Sequence, residues 1–438
     1  MNPSNESLDR WGLFSDLNPI LHPCSIQQPP MSPDFFIRCL ITCLSLGFIT
    51  EALRGAEPYH TSTYLFPLEN WHNHGSCIVQ TPEGDLIACW FHGSGERKSD
   101  DVMILGARKR RNESAWSAPF VMADTPEFPD TNCCMIIDPK GRLWLLWPTI
   151  QANLWESALM KYKISSHYQE DGPPVWTEEK VLHVKPGEAF PVQVREKTAA
   201  YLSHQQLTPE MIQWAHDNFK QADDKLTRRL GWFTRAHPYL IDSKRMLVGL
   251  YSDGFSFSMV ARTDDWGNSW QFSEPIVGGG SIQPSFASKK DGTLVTYMRD
   301  NGPPPQRVLV SESTDGGVSW SKVYDHPQLK NPGSGLELIN LQDGRFLTIY
   351  NDTDDGRHQL AVSISEDEGR SYRWTRYLEK AEPGMGSFHY PSIIQDHDGL
   401  LQCTYSTFLP GTLKDGSEGK TIKHASFNIE WVMQGHPR

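Results

Sequence analysis

Four histidines, His72, His74, His92 and His237, fall in segments flanking predicted strands, and imidazole is the side chain best suited to proton transfer near neutral pH. Gathered around one axis, they would hold an anionic sugar or act as acid and base, with His74 and His92 as the catalytic candidates. The His72–His74 spacing alone does not specify a metal, so neither metal nor cofactor is expected. Arg299 and Arg357 stand at corresponding points of two successive segments, YMRDNG and NDTDDGR, each ahead of a similar strand. Guanidinium grips a carboxylate through two parallel hydrogen bonds, so two such groups suit an anionic ligand. Adjacent aspartates, Asp100 and Asp101 in GERKSDDV, offer a carboxyl that holds a proton near neutral pH if its cleft is partly dry.

Residues so far apart in sequence meet only if repeated elements bring them to one centre. A turn followed by an apolar, strand-forming run occurs six times: PEGDLIACWF, DPKGRLWLLW, DSKRMLVGLY, KDGTLVTYM, QDGRFLTIY and HDGLLQCTY. Marked at Gly84, Gly141, Lys244, Gly292, Gly344 and Gly399, the units lie 57, 103, 48, 52 and 55 residues apart. A lone hairpin buries too little apolar surface, whereas radially arranged four-stranded sheets cover one another's faces. The chain is therefore read as all-β, a six-bladed propeller. The long interval holds Leu207–Leu230, where Thr208 suits a helix cap, Pro209 the first turn and Gly231 the end, with an apolar stripe from Met211 to Leu230. It is expected to be one inserted helix packed on the propeller.

A sharper repeat accompanies the later blades: TDDWGNSW, STDGGVSW and SEDEGRSY, with Asp265, Asp315 and Asp367 spaced 50 and 52 residues apart. Carboxylate, glycine and aromatic at these offsets specify an outer hairpin turn. Here the chain resembles the sialidase, or neuraminidase, superfamily, and more specifically bacterial sialidase-like proteins with neuraminidase (BNR) repeats, from about Trp71 to the carboxyl terminus. The resemblance implies a glycan-acting propeller with its site at the axial mouth. Such a site uses three arginines for the sugar carboxylate, a tyrosine nucleophile activated by a glutamate, and an aspartate from the first blade as acid/base. On that likeness, FHYPSIIQDHDG puts Tyr390 at the nucleophile position, Asp101 (or Asp100) at the acid/base position, and Arg299 and Arg357 at the second and third arginines. Arg97, His237, Gln283 and Glu337 complete the candidate binding set, and His389 is a neighbour able to tune or replace Tyr390.

Two departures stand beside these matches. WHNHGS occupies the place of the first arginine, and GGGSIQPS offers Ser281 and Gln283 where the activating glutamate belongs. Glu337 or Asp253 would have to reach the centre from another blade. The expected function is an exported, exo-acting, sialidase-like glycoside hydrolase that removes a terminal acidic or modified sugar. The alternatives are a non-catalytic glycan-binding propeller and a polysaccharide lyase with His/Tyr acid–base chemistry.

Composition narrows the partners. Lys and Arg number 41 against 53 Asp and Glu, a formal charge of −12 without a basic stripe, which excludes the footprint of a nucleic-acid binder. The run Phe35–Ile49 is shorter than the roughly 20 residues of a membrane span and suits a signal-peptide core, so no stable span is expected. Residues 1–30 then form a non-native start or disordered extension, 31–56 the export signal, and 57–438 the propeller.

Overall fold

The six turn motifs each join the innermost strand of a sheet to its neighbour. In five of them the marker glycine has a positive φ, from 73° at Gly141 to 96° at Gly84. In the third, Asp242 takes that conformation (φ 56°) and its carboxylate accepts the Lys244 N–H at 2.7 Å. The structure, a computed structural model, describes residues 56–437. The expected extension 1–30 and the signal-like run Phe35–Ile49 lie outside the described residues. Among those described, no helix is long and apolar enough to cross a membrane.

Six antiparallel sheets make the expected six-bladed propeller. Their innermost strands are His72–Gln80, Cys134–Ile137, Tyr239–Ile241, Ser281–Ser288, Glu337–Asn340 and Ser387–Gln395. The ring closes on itself, because strand His60–Tyr64 supplies the outer edge of the sixth blade and pairs with Gly419–Phe427. That pairing joins the two ends of the propeller and covers a strand edge.

The aspartate repeats occupy the turns between the third and fourth strands of blades three to five. Asp315 accepts from Ser313 Oγ, Val318 N, Ser319 N and Ser319 Oγ at 2.6–3.0 Å. Burial pushes its pKa up, but these hydrogen bonds outweigh it and hold the carboxyl at about 2. The glycine of each turn presses on the preceding blade: a Cβ on Gly267 would stand 2.9 Å from Trp144, and one on Gly369 2.5 Å from Tyr297 Oη. The repeats are thus spacers between blades. Because Gly267 also has φ 83°, Gly267→Ala combines backbone strain with overpacking. A loss of about 2–3 kcal/mol in urea unfolding is expected, and an unchanged midpoint would refute the spacer role.

The insertion between blades two and three is larger than the single helix expected. It comprises α1 (Phe190–Leu202), α2 (Pro209–Asp223) and α3 (Lys225–Arg229). Thr208 caps α2 by accepting the Met211 N–H at 3.3 Å. The expected continuous helix breaks at Asp224, whose extended backbone and carboxylate bond to Leu226 N start α3 instead. Of the expected stripe, Ala215 and Ala222 are buried while Leu226 is exposed. Phe190 of α1 packs against Trp232 and Phe255, and Trp214 of α2 donates to the Phe255 carbonyl at 3.2 Å, which pins the insertion to blade three.

Candidate active site

Three innermost strands begin irregularly, and the irregularity aims side chains at the axis. Register shifts fall between His74 and Cys77, Ile282 and Ser285, and His389 and Ser392. Each contains a residue of positive φ: Gly75 (62°), Gln283 (58°) and Tyr390 (42°). A bulge re-aims the chain, and a non-glycine residue held at positive φ costs about 1–3 kcal/mol, sustained only where the surroundings over-determine it. Asn132, at the entry to blade two, is a third such non-glycine residue (φ 47°). Asn132, Gln283 and Tyr390 all line one axial cavity of about 350 Å³.

Tyr390 is the centre of that cavity. Its Oη receives Arg299 Nη1 at 3.1 Å and Gln283 Nε2 at 3.5 Å. The guanidinium carbons of Arg235 and Arg357 each lie 5.5 Å from its ring centroid, and the His74 ring stands edge-on at 4.5 Å. Burial pushes the phenol pKa up, yet Arg299 and Arg357 outweigh it, so the net shift is downward and favours phenolate. Gln283 Nε2 also donates to Tyr251 Oη at 3.2 Å, and Asn132 donates there at 2.9 Å. Burial raises the Tyr251 pKa, which keeps it a phenol.

The histidines divide. His74 is buried in the cavity wall, and burial, followed by the neighbouring His389, His72, Arg357 and Arg235, holds its pKa well below the usual value, leaving a neutral ring whose Nδ1 has no protein partner. His92 does not line the cavity; its Nδ1 meets Asn73 Oδ1 at 2.8 Å and its ring packs on Trp71. His237 and Glu337, expected at the binding site, instead form a pair outside the cavity. Glu337 accepts from His237 N and Nδ1 at 2.9 and 2.8 Å and from Ile393 N at 2.7 Å, while His237 Nε2 meets the Ile78 carbonyl at 2.6 Å. This pair staples blades one, three, five and six. Burial opposes both charges, but Cys77 and Glu337 raise the His237 pKa, and His237 in turn lowers that of Glu337.

The aspartates expected to act as acid/base also lie elsewhere. Asp101 is exposed and accepts from Ser94 N and Oγ at 3.2 and 2.9 Å; Asp100 is exposed and accepts from Asn153 at 2.7 Å. Asp101 is held by its own loop and Asp100 by a loop of the second blade. The carboxyls that line the cavity are Glu96 and Asp253. Glu96 lies 3.3 Å from His72, and although burial raises its pKa, His72, Arg97 and Arg357 bring the net shift down, leaving it ionised. Asp253 shifts the other way: burial raises it, and Arg299 and Arg97 only partly offset that.

Arg97 lines the cavity with its guanidinium 4.4 Å above Trp155. Arg299 is steadied by Asn301 Oδ1 at 3.0 Å, and Arg357 by the Gly333 carbonyl at 3.0 Å and His389 Nδ1 at 3.2 Å. Arg235 was not among the expected residues. It is buried beside the tyrosine, donates to the Leu336 and Pro391 carbonyls and leaves Nε unpaired. Its only trace in the sequence is RAHPY, a segment in which the histidine carries the more familiar chemistry. Four cations and one protonatable carboxyl around a polarised tyrosine can bind an anion and pass a proton. Among the described residues, no group of three His, Cys, Asp or Glu side chains is arranged to hold a metal ion.

Known proteins share the repeated fold. Residues 84–403 match the BNR repeat-like domain. The anhydrosialidase of Macrobdella decora is 25% identical over 181 residues, 37% of this chain and 23% of that protein. The sialidase of Micromonospora viridifaciens is 25% identical over 179 residues, 39% of this chain and 25% of that one. The matched stretches thus span about a quarter of each relative's length. The intramolecular trans-sialidase of Ruminococcus gnavus, solved with oseltamivir carboxylate, superposes with a TM-score of 0.61 at 12% identity, covering 83% of this chain and 95% of that one, which is a likeness of fold. Six blades, three aspartate turns and a family match across most of the propeller agree: the chain belongs to the BNR repeat-like domain family, within the sialidase-like superfamily.

Proposed function

We propose that the chain is an exo-acting glycoside hydrolase that removes a terminal acidic sugar from a glycan, with Tyr390 as nucleophile. The observation that carries this reading is the tyrosine oxygen held by two donors, Arg299 and Gln283, among further guanidinium groups. A carboxylate nucleophile would be repelled by an acidic group on the reacting carbon; a tyrosine flanked by arginines is not. Arg299 and Arg357 receive the sugar carboxylate. The Tyr390 oxygen bonds to the anomeric carbon as the glycosidic C–O bond breaks, and Asp253 gives its proton to the departing oxygen. Water then attacks the anomeric carbon, Asp253 takes its proton, and the tyrosine leaves. Two displacements retain the anomeric configuration. The guanidiniums replace the missing glutamate by favouring the phenolate directly. Export rests on the signal-like run Phe35–Ile49.

One observation favours a second reading. Neutral His74 beside Tyr390 is also the pair needed by a lyase, in which one group abstracts a proton next to a uronic acid carboxylate and the other protonates the leaving oxygen. A single screen separates the readings: terminal sialic and uronic acid glycosides, each beside its carboxyl-reduced counterpart, monitored for released sugar and for ultraviolet-absorbing unsaturated products. Hydrolysis of an acid glycoside is expected, with kcat/KM about 10–100-fold above its neutral counterpart and that preference lost in Arg357→Ala. Unsaturated products would establish the lyase, and equal losses on acid and neutral sugars would end the anionic-substrate reading.

A further inference from the structure

Asn301 of the axial cavity has a second space behind it. On its far side, a second groove of about 450 Å³ runs between the helical insertion and blade four, and Asn301 lines both spaces. One wall is Tyr201 of α1 with Met211 and Trp214 of α2; the other is Gly279, Gly280 and Pro303. The wall shared with the cavity is built from tightly apposed backbone. Asn301 N donates to the Gly280 carbonyl at 2.9 Å, and a Cβ on Gly280, whose φ is 96°, would fall 2.5 Å from the Asn301–Gly302 peptide. The same two loops lead directly into Gln283 on one side and out of Arg299 on the other. Groove and cavity are therefore fixed relative to each other by one pair of loops.

We propose that this groove is a leaving-group subsite that takes the neutral sugars next to the terminal acidic one. Three features point to sugar. Half-buried Trp214 and Tyr201 stand edge to face at 6.0 Å, and the Trp214 N–H is already spent on Phe255, so the ring is held still and offers an apolar surface. Pyranose rings present just such an apolar C–H face to aromatic side chains. Around the rings, Gln206, Thr208, Glu210 and Asn301 form a polar rim for hydroxyl groups. Glu210 and the chain's formal charge of −12 disfavour a second acidic sugar, which is why the occupant is neutral. The groove shares Asn301 with the cavity, two residues from Arg299 in the chain, so a glycan leaving the terminal sugar on that side meets it without crossing another blade.

This subsite rests on the reading of the axial cavity as an acidic-sugar site, and its test keeps the two apart. In the Tyr390→Phe protein, which binds without turnover, dissociation constants are measured by calorimetry for two pairs of probes. One pair is the methyl glycoside of N-acetylneuraminic acid and sialyllactose; the other is methyl glucuronide and a trisaccharide of glucuronic acid on a neutral disaccharide. Within a pair that binds, the longer probe is expected to bind at least ten-fold more tightly. Adding Met211→Glu, a change of a partly exposed side chain, is expected to abolish that gain and leave the methyl glycoside unaffected. Trp214→Ala is expected to do the same, with thermal melting to verify its fold. Equal affinity of short and long probes overturns the subsite and leaves the cavity reading intact. Binding of neither pair overturns the cavity reading and the subsite with it.

Discussion

Tyr390→Phe is expected to lower kcat by about a thousand-fold or more while changing substrate affinity by no more than a few-fold. The variant loses one oxygen and nothing else. The ring stands edge-on to His74 with the guanidiniums of Arg235 and Arg357 each 5.5 Å from its centroid, and phenylalanine keeps that carbon framework and the strained backbone at φ 42°. What disappears is the acceptor for Arg299 Nη1 and Gln283 Nε2. Both donors then face the bound sugar, which preserves ground-state binding. A fall in kcat without a matching change in binding identifies an interaction made only on the way to the transition state. Single-turnover kinetics and calorimetry on the same preparation measure the two quantities. If kcat survives, the covalent step does not pass through Tyr390, and neutral His74 or His389 becomes the group to replace next.

The features visible in the sequence were those set by local chemistry. A hairpin needs a residue that tolerates positive φ, so Gly84, Gly292, Gly344 and Gly399 announce the blades, and the aspartate turns announce their spacing. Tyr390, Gln283 and Arg299 meet in the structure because each sits at the mouth end of a blade strand, a position that the repeat count fixes. The first-blade loop has no such periodicity. Over the few residues from Glu96 to Asp101, the side chain that faces the axis is decided by where Ser94 and Asn153 capture the aspartates, and neither bond leaves a pattern in sequence. The His237–Glu337 staple joins residues a hundred positions apart through two blades, so each partner looks like a free site group until the ring is closed. α1 went unseen because its buried residues, Phe190, Val194 and Thr198, form too thin an apolar stripe to stand out from a loop.

Asp253→Asn carries the second large effect, and it depends on the leaving group. On a natural glycoside, whose departing alkoxide must be protonated, kcat/KM is expected to fall by about 10²–10⁴-fold. On a nitrophenyl glycoside, whose leaving group departs as a stable anion, the variant should stay within a few-fold of wild type. The reason lies in the protonation state. Burial raises the Asp253 pKa against the opposing pull of Arg299 and Arg97, which favours the protonated, proton-donating form, and asparagine reproduces that form's shape and charge without its proton. Binding of an anionic sugar is thus unaffected. The sign of the pH effect follows: wild type loses turnover on the natural glycoside as pH rises through the raised pKa and the proton is lost, whereas Asp253→Asn has no such descending limb. Glu96 cannot substitute, because its contact with His72 and the nearby Arg97 and Arg357 hold it ionised. Equal losses on both glycosides would show instead that Asp253 serves to position Arg97 and Arg299, and the proton donor would then have to be sought in Tyr251, which burial keeps a phenol and which Gln283 links to Tyr390 in the same cavity.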